Sequence, residues 1–176
     1  IKAEVEKMLI RQAEARDYRE VYELVKEAFI AAEHADGNEQ DLVEALRKGG
    51  AFIPKLSLVA EIDGKLAGYI LFTKAVVGRK EVLVLAPVAV KPAYQKQGIG
   101  AALINEGHEI AKKLGYEYSL VLGSELYYPR FGYVPAASFG IEIPEGFPPE
   151  NFMAIRLRDD AELPNGSVVY AEEFGI

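Results

Sequence analysis

The segment at 95–100, Gln-Lys-Gln-Gly-Ile-Gly, has the composition and glycine spacing of a ligand-binding loop. It follows an apolar segment at 82–90 and precedes a helical pattern that Gly115 ends. A helix start leaves backbone N–H groups unpaired and carries partial positive charge, so it suits a phosphate group. The two glycines would let the backbone approach such a ligand without side-chain collision. The pattern therefore predicts an anion site, without indicating which anion.

Three interpretations of residues 95–100 compete. A Walker-type phosphate loop is excluded, because two alanines follow Gly100 where Lys-Ser/Thr would be needed. A dinucleotide-binding fingerprint is a poor match, because Leu103 stands where a small residue is required and no clear ribose-binding acid follows the next strand. The third interpretation is a tight strand-to-helix turn without a ligand, which is the commoner meaning of an isolated Gly-x-Gly.

Composition removes several classes of site and partner. The 176 residues include no cysteine and only two histidines, His34 and His108, which excludes disulfides, thiolate zinc sites, a cysteine nucleophile and a three-histidine metal site. A formal net charge of −7 argues against binding to a nucleic-acid backbone. No apolar run approaches the roughly 20 residues that span a bilayer, and the first residues do not resemble a signal peptide. We expect a cytoplasmic protein with no metal, nucleic-acid or membrane partner.

Hydrophobic periodicity predicts the elements that must position the glycine run. The patterns place strands at 8–14, 56–62, 66–74, 82–90, 118–122, 152–157 and 168–170, helices capped by Asp17 and Asn38, a helix over 98–114, and a short helical stretch at 124–128. Asp63-Gly64 indicates a hairpin between two of the strands. Pro87 interrupts the strand at 82–90, and because proline donates no N–H, we expect a bulge or a parting from a neighbour there. These elements fit one α+β domain with a mixed sheet.

The order of these features resembles that of the GCN5-related N-acetyltransferase (GNAT) family. Residues 95–100 after an apolar strand are similar to the family's pyrophosphate loop, Gln-x-x-Gly-x-Gly. Residues 128–133 resemble its Tyr-x-x-x-Gly-Phe signature, with Tyr133 in place of the phenylalanine. Residues 122–133 and 58–61 are also similar to a bacterial subgroup, the YhbS-like predicted acetyltransferases. The resemblance extends over most of the chain.

This resemblance implies a central mixed sheet flanked by helices, with the family core at about 8–135 and a C-terminal extension at about 136–176. It implies an N-acetyltransferase that uses acetyl-CoA as cosubstrate and transfers the acetyl group to a primary amine by direct attack in a ternary complex. A small-molecule or peptide amine is the implied acceptor, and a homodimer is an option because dimers are common in the family. The alternative is a non-catalytic acyl-CoA-binding sensor or accessory domain.

The resemblance also implies a donor site. Its members would be Val88, Ala89, Val90, Gln95, Lys96, Gln97, Gly98, Ile99, Gly100, Ser124 and Tyr128. The backbone of the strand would face the pantetheine arm, and the glycine run would hold the pyrophosphate. Tyr128 matches the family's catalytic tyrosine, which would protonate the leaving thiolate. Tyr127 is adjacent, but the spacing to Gly132-Tyr133 favours Tyr128.

The acceptor side is less determined by the sequence. Some family members carry a catalytic glutamate on the bulged strand, whereas residues 83–86 here contain no acid, so we predict no dedicated base. A water chain, or an acid from the acceptor side such as Glu33, Glu39 or Glu61, stays open as the group that takes the proton of the amine. The loop between the first two helices usually forms one wall of the acceptor groove in this family. Glu33, His34 and Glu39 are therefore the candidate acceptor residues, and residues 139–152 are the other candidate wall.

Overall fold

The computed structural model describes residues 7–30, 32 and 36–176. Within these residues, a mixed sheet carries three helices. The strands are β1 (Met8–Gln12), β2 (Phe52–Ile62), β3 (Lys65–Val77), β4 (Lys80–Val90), β5 (Tyr118–Leu122), β6 (Val134–Pro135), β7 (Phe152–Arg156) and β8 (Val168–Val169). The helices are α1 (Tyr18–Phe29), α2 (Glu39–Arg47) and α3 (Ile99–Leu114).

The sheet has the order β1-β2-β3-β4-β5-β7-β6, and β8 pairs with β3 outside that path. Only the β4–β5 pair is parallel among these described strands, so the sheet is mixed, as the sequence predicted. The predicted hairpin is confirmed, because Ile62 pairs with Lys65 across Asp63 and Gly64. Both turn residues have positive φ, which two-residue hairpins of this kind require. Strands β2 and β3 are longer than the periodicity indicated.

Three local predictions were wrong in detail. Asp17 precedes α1, but its carboxylate does not cap the helix; it accepts the Glu14 N–H at 2.8 Å and pairs with Arg11 at 2.7 Å. Asn38 stands before α2 and also makes no side-chain capping bond. The helical stretch expected at 124–128 is a single hydrogen-bonded turn, in which the Ser124 carbonyl accepts the amides of Tyr127 and Tyr128. A 3₁₀ helix follows it over Tyr128–Phe131.

Strand β4 bulges at the predicted proline. Its register with β3 shifts by one residue between the pairs Ile70–Val88 and Phe72–Leu85, which leaves Ala86-Pro87 as the bulge. Strand β4 then pairs with β5 at only two positions, Leu83–Ser119 and Val84–Leu120. On its other edge, β5 stays paired with β7 along its whole length, to Leu122–Phe152. The sheet therefore opens between β4 and β5.

Helix α3 packs closely on the sheet and fixes the position of its own first turn. A Cβ atom on Gly107 would come within 2.3 Å of the Phe72 ring, so only glycine permits this approach. Ile99 and Leu103 are buried over the sheet near Gly68. The start of α3 consequently lies beside the open end of β4.

A buried polar triad joins α3, β5 and the turn that follows Tyr128. The Tyr133 hydroxyl lies 3.0 Å from His108 Nε2 and 2.9 Å from Ser119 Oγ, and all three side chains are buried. Tyr133 stands where the family signature has phenylalanine, and these two partners satisfy the hydroxyl that phenylalanine lacks. Burial lowers the pKa of His108 to about 4, so the imidazole is neutral at pH 7.

This neutral histidine makes stability depend on pH. The unfolded chain binds a proton at His108 below its ordinary pKa of about 6.5, whereas the folded chain binds it only near pH 4. Acidification through this window should therefore destabilise the protein, by up to about 3 kcal/mol from His108 alone. The His108→Gln variant keeps a hydrogen-bonding group and does not titrate. Urea unfolding should show that the free energy of unfolding falls less between pH 7 and pH 4 in the variant than in the wild type. An equal fall in both proteins would contradict the prediction.

Candidate active site

Two cavities meet at Val88, where β4 parts from β5. The first, about 580 Å³, is the glycine-loop cleft, whose walls include Val90, Lys96, Gly98, Gly100, Tyr127 and Arg130. The second, about 700 Å³, is the acidic cavity, whose walls include Asp36, Glu39, Asp41, Tyr128, Phe147 and Glu173. Val88 lines both of them. The cleft and the cavity are therefore adjacent, beside the opening in the sheet.

The glycine-loop cleft is built by the first turn of α3. Gly98 precedes the helix with φ of +82°, and Lys96 also has positive φ, so the loop turns sharply into the helix. Within the described chain, no backbone acceptor pairs with the amides of Gly98, Ile99 or Gly100. These N–H groups and the helix dipole favour an anion at this point.

The charges of the two cavities differ in sign. The described residues that line the glycine-loop cleft include Lys96 and Arg130 and no acid. Those that line the acidic cavity include four carboxylates and no lysine or arginine. The cleft therefore suits an anionic ligand and the cavity a cationic one, although the whole chain has a net charge of −7.

The two consecutive tyrosines separate into the two cavities. Tyr127 lies in the glycine-loop cleft, where its hydroxyl is 2.8 Å from the position that a Cβ on Gly100 would take. Tyr128 lies in the acidic cavity. Their rings meet edge-on with centroids 5.2 Å apart. From the sequence, Tyr127 was only an alternative to Tyr128 as the catalytic tyrosine, whereas in the structure the two side chains line different cavities.

Close packing holds the Tyr128 ring. It lies against Gly123, where an added Cβ would come within 2.4 Å of the ring, and it meets the Tyr133 ring edge-on at 5.7 Å. Burial raises the pKa of Tyr128 above its ordinary value, so the phenol keeps its proton at neutral pH. Tyr128 can therefore act as a proton donor there, not as a base.

The structure brings most of the predicted donor-site residues together. Those that line the glycine-loop cleft are Val88, Val90, Gln95, Lys96, Gly98, Ile99 and Gly100. The Val90 carbonyl already accepts a hydrogen bond from Gln95 Nε2 at 3.2 Å. Ala89 and Gln97 do not line the cleft, and the Ala89 side chain is buried in the core. Ser124 is exposed, and its carbonyl accepts the amides of both Tyr127 and Tyr128.

The predicted acceptor residues are only partly described. Glu39 lines the acidic cavity, and its Oε1 accepts the Asp36 N–H at 2.7 Å. Glu33 and His34 lie outside the described residues. Phe147, from the predicted wall at 139–152, does line the cavity.

Part of the cavity wall was not predicted. The C-terminal residues Tyr170, Glu173 and Phe174 complete it, and Tyr170 contacts both Phe147 and Phe174 through its ring. The sequence carries no local signal for this placement, because β8 reaches the sheet by pairing with β3 some 90 residues away in the chain.

The described residues contain no group of three or more potential ligands placed to hold a metal ion. None of the helices in the same part of the chain is long and apolar enough to cross a membrane.

A family model described as "Acetyltransferase (GNAT) family" matches residues 9–133. The chain belongs to the GNAT acetyltransferase family. This confirms the predicted family and the acyltransferase class, and the acceptors of this family are generally amines.

Individual relatives agree with this assignment. The crystal structure of the GNAT protein YhbS from Escherichia coli, in complex with CoA, superposes with a TM-score of 0.88 at 30% identity, covering 100% of this chain and 96% of that one. The crystal structure of a GNAT acetyltransferase from Brucella melitensis, in complex with acetyl-CoA, superposes with a TM-score of 0.80 at 31% identity, covering 97% of this chain and 99% of that one. The uncharacterized N-acetyltransferase YjhQ of E. coli is 43% identical over 103 residues, which are 56% of this chain. The match spans only 57% of the length of YjhQ.

Proposed function

We propose that this chain transfers the acetyl group of acetyl-CoA to a primary amine, by direct attack while both substrates are bound. The observation that carries the proposal is the junction at Val88, where a cleft suited to phosphate meets a cavity suited to a cation. Two tyrosines flank this junction, one facing each side. A non-catalytic acyl-CoA sensor is not favoured, because such a protein would not need a second cavity of this size beside Tyr128.

The donor would occupy the glycine-loop cleft. Its pyrophosphate would accept hydrogen bonds from the unpaired amides of Gly98, Ile99 and Gly100, with Lys96 and Arg130 as the cationic side chains of the same cleft. The pantetheine arm would run along the end of β4, past Val90 and Val88, toward the opening in the sheet. CoA in YhbS and acetyl-CoA in the Brucella protein support this choice of ligand.

The chemistry needs a proton at the leaving sulfur. The amine nitrogen would attack the thioester carbonyl carbon, the C–S bond would break, and the Tyr128 phenol would give its proton to the departing thiolate. The phenol would be restored by the proton that the nitrogen loses as the amide forms. The products are then the N-acetylated amine and CoA as its thiol. The absence of cysteine excludes an acyl-cysteine intermediate, in agreement with direct transfer.

The acceptor would occupy the acidic cavity. Its carboxylates, among them Glu39 and Glu173, would attract an amine in its ammonium form. The aromatic side chains Phe147, Tyr170 and Phe174 would contact the apolar body of the acceptor. The cavity wall on β4 carries no acid, so the amine would lose its extra proton to water rather than to a dedicated base.

Replacing Tyr128 tests the reaction step. The Tyr128→Phe variant should bind CoA as wild type does but lose about 10²- to 10⁴-fold in kcat, since it removes the proton donor and leaves the ring. Tyr127→Phe is the matched control. Thiol release with acetyl-CoA should be followed over a broad amine panel, with products identified by mass spectrometry. A Tyr128→Phe variant with wild-type kcat would refute the assigned role, and no turnover with any amine would refute catalysis.

Replacing Gly100 tests the donor cleft. A Cβ at this position would fill space against the Tyr127 hydroxyl and displace a phosphate from the helix amides. Loss of a hydrogen bond to a charged group costs about 1.5–3 kcal/mol, so the Kd for CoA should rise roughly 10- to 150-fold in Gly100→Ala. Gly50→Ala is the control, because nothing lies within 4 Å of its added Cβ. Calorimetric titration measures both, and equal affinities would place CoA elsewhere.

Replacing Glu39 tests the charge of the acceptor cavity. The Glu39→Gln variant keeps an oxygen for the Asp36 amide and removes one negative charge. The KM for the amine should rise about two- to fivefold at low salt, as for a partly exposed ion pair. Glu20→Gln removes an exposed charge on α1, outside the cavity, and should leave the KM unchanged. The effect should fade at high salt, and the same KM change in both variants would contradict a local role.

A further inference from the structure

Asn151, the residue before β7, is tied to the loop that carries the two tyrosines. Its side-chain Nδ2 donates to the Gly123 carbonyl at 3.0 Å and to Glu125 Oε2 at 2.7 Å. Its backbone carbonyl accepts the Gly123 N–H at 2.9 Å. Asn151 therefore holds the residues on both sides of Ser124 by three hydrogen bonds.

Ser124 in turn holds both tyrosines. Its carbonyl accepts the backbone N–H groups of Tyr127 and Tyr128, each at 3.2 Å. Its Oγ accepts the Leu126 N–H at 3.2 Å, which closes the loop on itself. A displacement of Ser124 would consequently move the start of the 3₁₀ turn and the two rings together.

Gly123 gives a second route from Asn151 to Tyr128. The Tyr128 ring lies directly over Gly123, where no side chain could fit. Asn151 bonds to both the N–H and the carbonyl of Gly123. It therefore fixes the two peptide groups that flank Gly123, and the Tyr128 ring packs against this glycine.

We infer that Asn151 is a positioning residue for the acetyl transfer, which fixes Tyr128 toward the acidic cavity and Tyr127 toward the glycine-loop cleft. The inference rests on the proposed function, because it concerns the tyrosine that would protonate the leaving sulfur. One short turn separates Asn151 from Phe147, which lines the acidic cavity. In this turn the Asn151 N–H donates to the Pro148 carbonyl at 3.0 Å. One segment thus sets both the cavity wall and the tyrosine loop.

The Asn151→Asp variant tests this role with almost no change in shape. An oxygen would replace Nδ2 and face the Gly123 carbonyl and the Glu125 carboxylate, so the attraction becomes repulsion. A misplacement of about 1 Å at a catalytic group can cost 10²-fold, and we expect kcat to fall about 10- to 100-fold. Glu125→Gln is the matched control, because it keeps an oxygen acceptor and the Gly123 bond. Its kcat should stay within about twofold of wild type.

A purely structural role would lower the fraction of folded enzyme without moving Tyr128. Tyrosine labelled at Cζ with an NMR-active carbon isotope separates the two cases, with the resonances assigned from the Tyr127→Phe and Tyr128→Phe variants. In Asn151→Asp the Tyr128 resonance should shift, and the pKa of Tyr128 should fall toward its ordinary value as the ring loses its burial. If Asn151→Asp does not fold, Asn151→Ala removes the same two donations without adding charge and is measured in the same way.

The outcomes separate this inference from the proposed function. An unchanged Tyr128 resonance and pKa in a folded Asn151 variant would overturn the positioning role, whatever happens to kcat. A shifted Tyr128 resonance with a wild-type kcat would show that the position of Tyr128 set by Asn151 does not matter for the reaction, and would overturn the inference. If Tyr128→Phe keeps full activity while Asn151→Asp shifts the resonance and lowers kcat, the positioning of the loop is supported and the catalytic assignment of Tyr128 fails.

Discussion

The whole site depends on the early end of pairing between β4 and β5. A sheet normally continues its ladder as far as both strands extend, because unpaired backbone groups in the interior are costly. Here Ala86-Pro87 bulges out of register with β3, and Pro87 has no N–H to donate to a neighbouring strand. Strand β5 keeps its full pairing with β7 on its other edge. Val88 lies just beyond this bulge and lines both cavities.

The arrangement of charge follows from which elements surround this gap. The first turn of α3 gives one side a cluster of free amides, and no acid lines that side among the described residues. The start of α2 and the C-terminal segment give the other side its carboxylates, including Glu39 and Glu173. An acidic chain can therefore attract a polyphosphate at one point of its surface, because local lining and not net charge determines the field at the ligand.

The sequence predicted those features whose signals are local. Pro87 marked the bulge, the glycines at 98 and 100 marked the helix start, and Asp63-Gly64 marked the hairpin. The predictions were wrong or silent where a side chain or segment bonds to a different element of the fold. The Asp17 carboxylate binds Arg11 on β1 rather than its own helix. Tyr170 and Phe174 reach the cavity only because the chain returns to β3, and no spacing pattern encodes that return.

The members of the buried triad are unequal in what their substitution would cost this protein. Tyr133 is tolerated in the core because its hydroxyl has two partners, His108 and Ser119, each brought by a different element. Removing the Tyr133 hydroxyl takes this partner from both His108 and Ser119, whereas removing either His108 or Ser119 leaves the hydroxyl one partner. Changing all three to apolar residues of similar shape removes the need for these hydrogen bonds altogether. Tyr133 is therefore the member of the triad on which the other two depend.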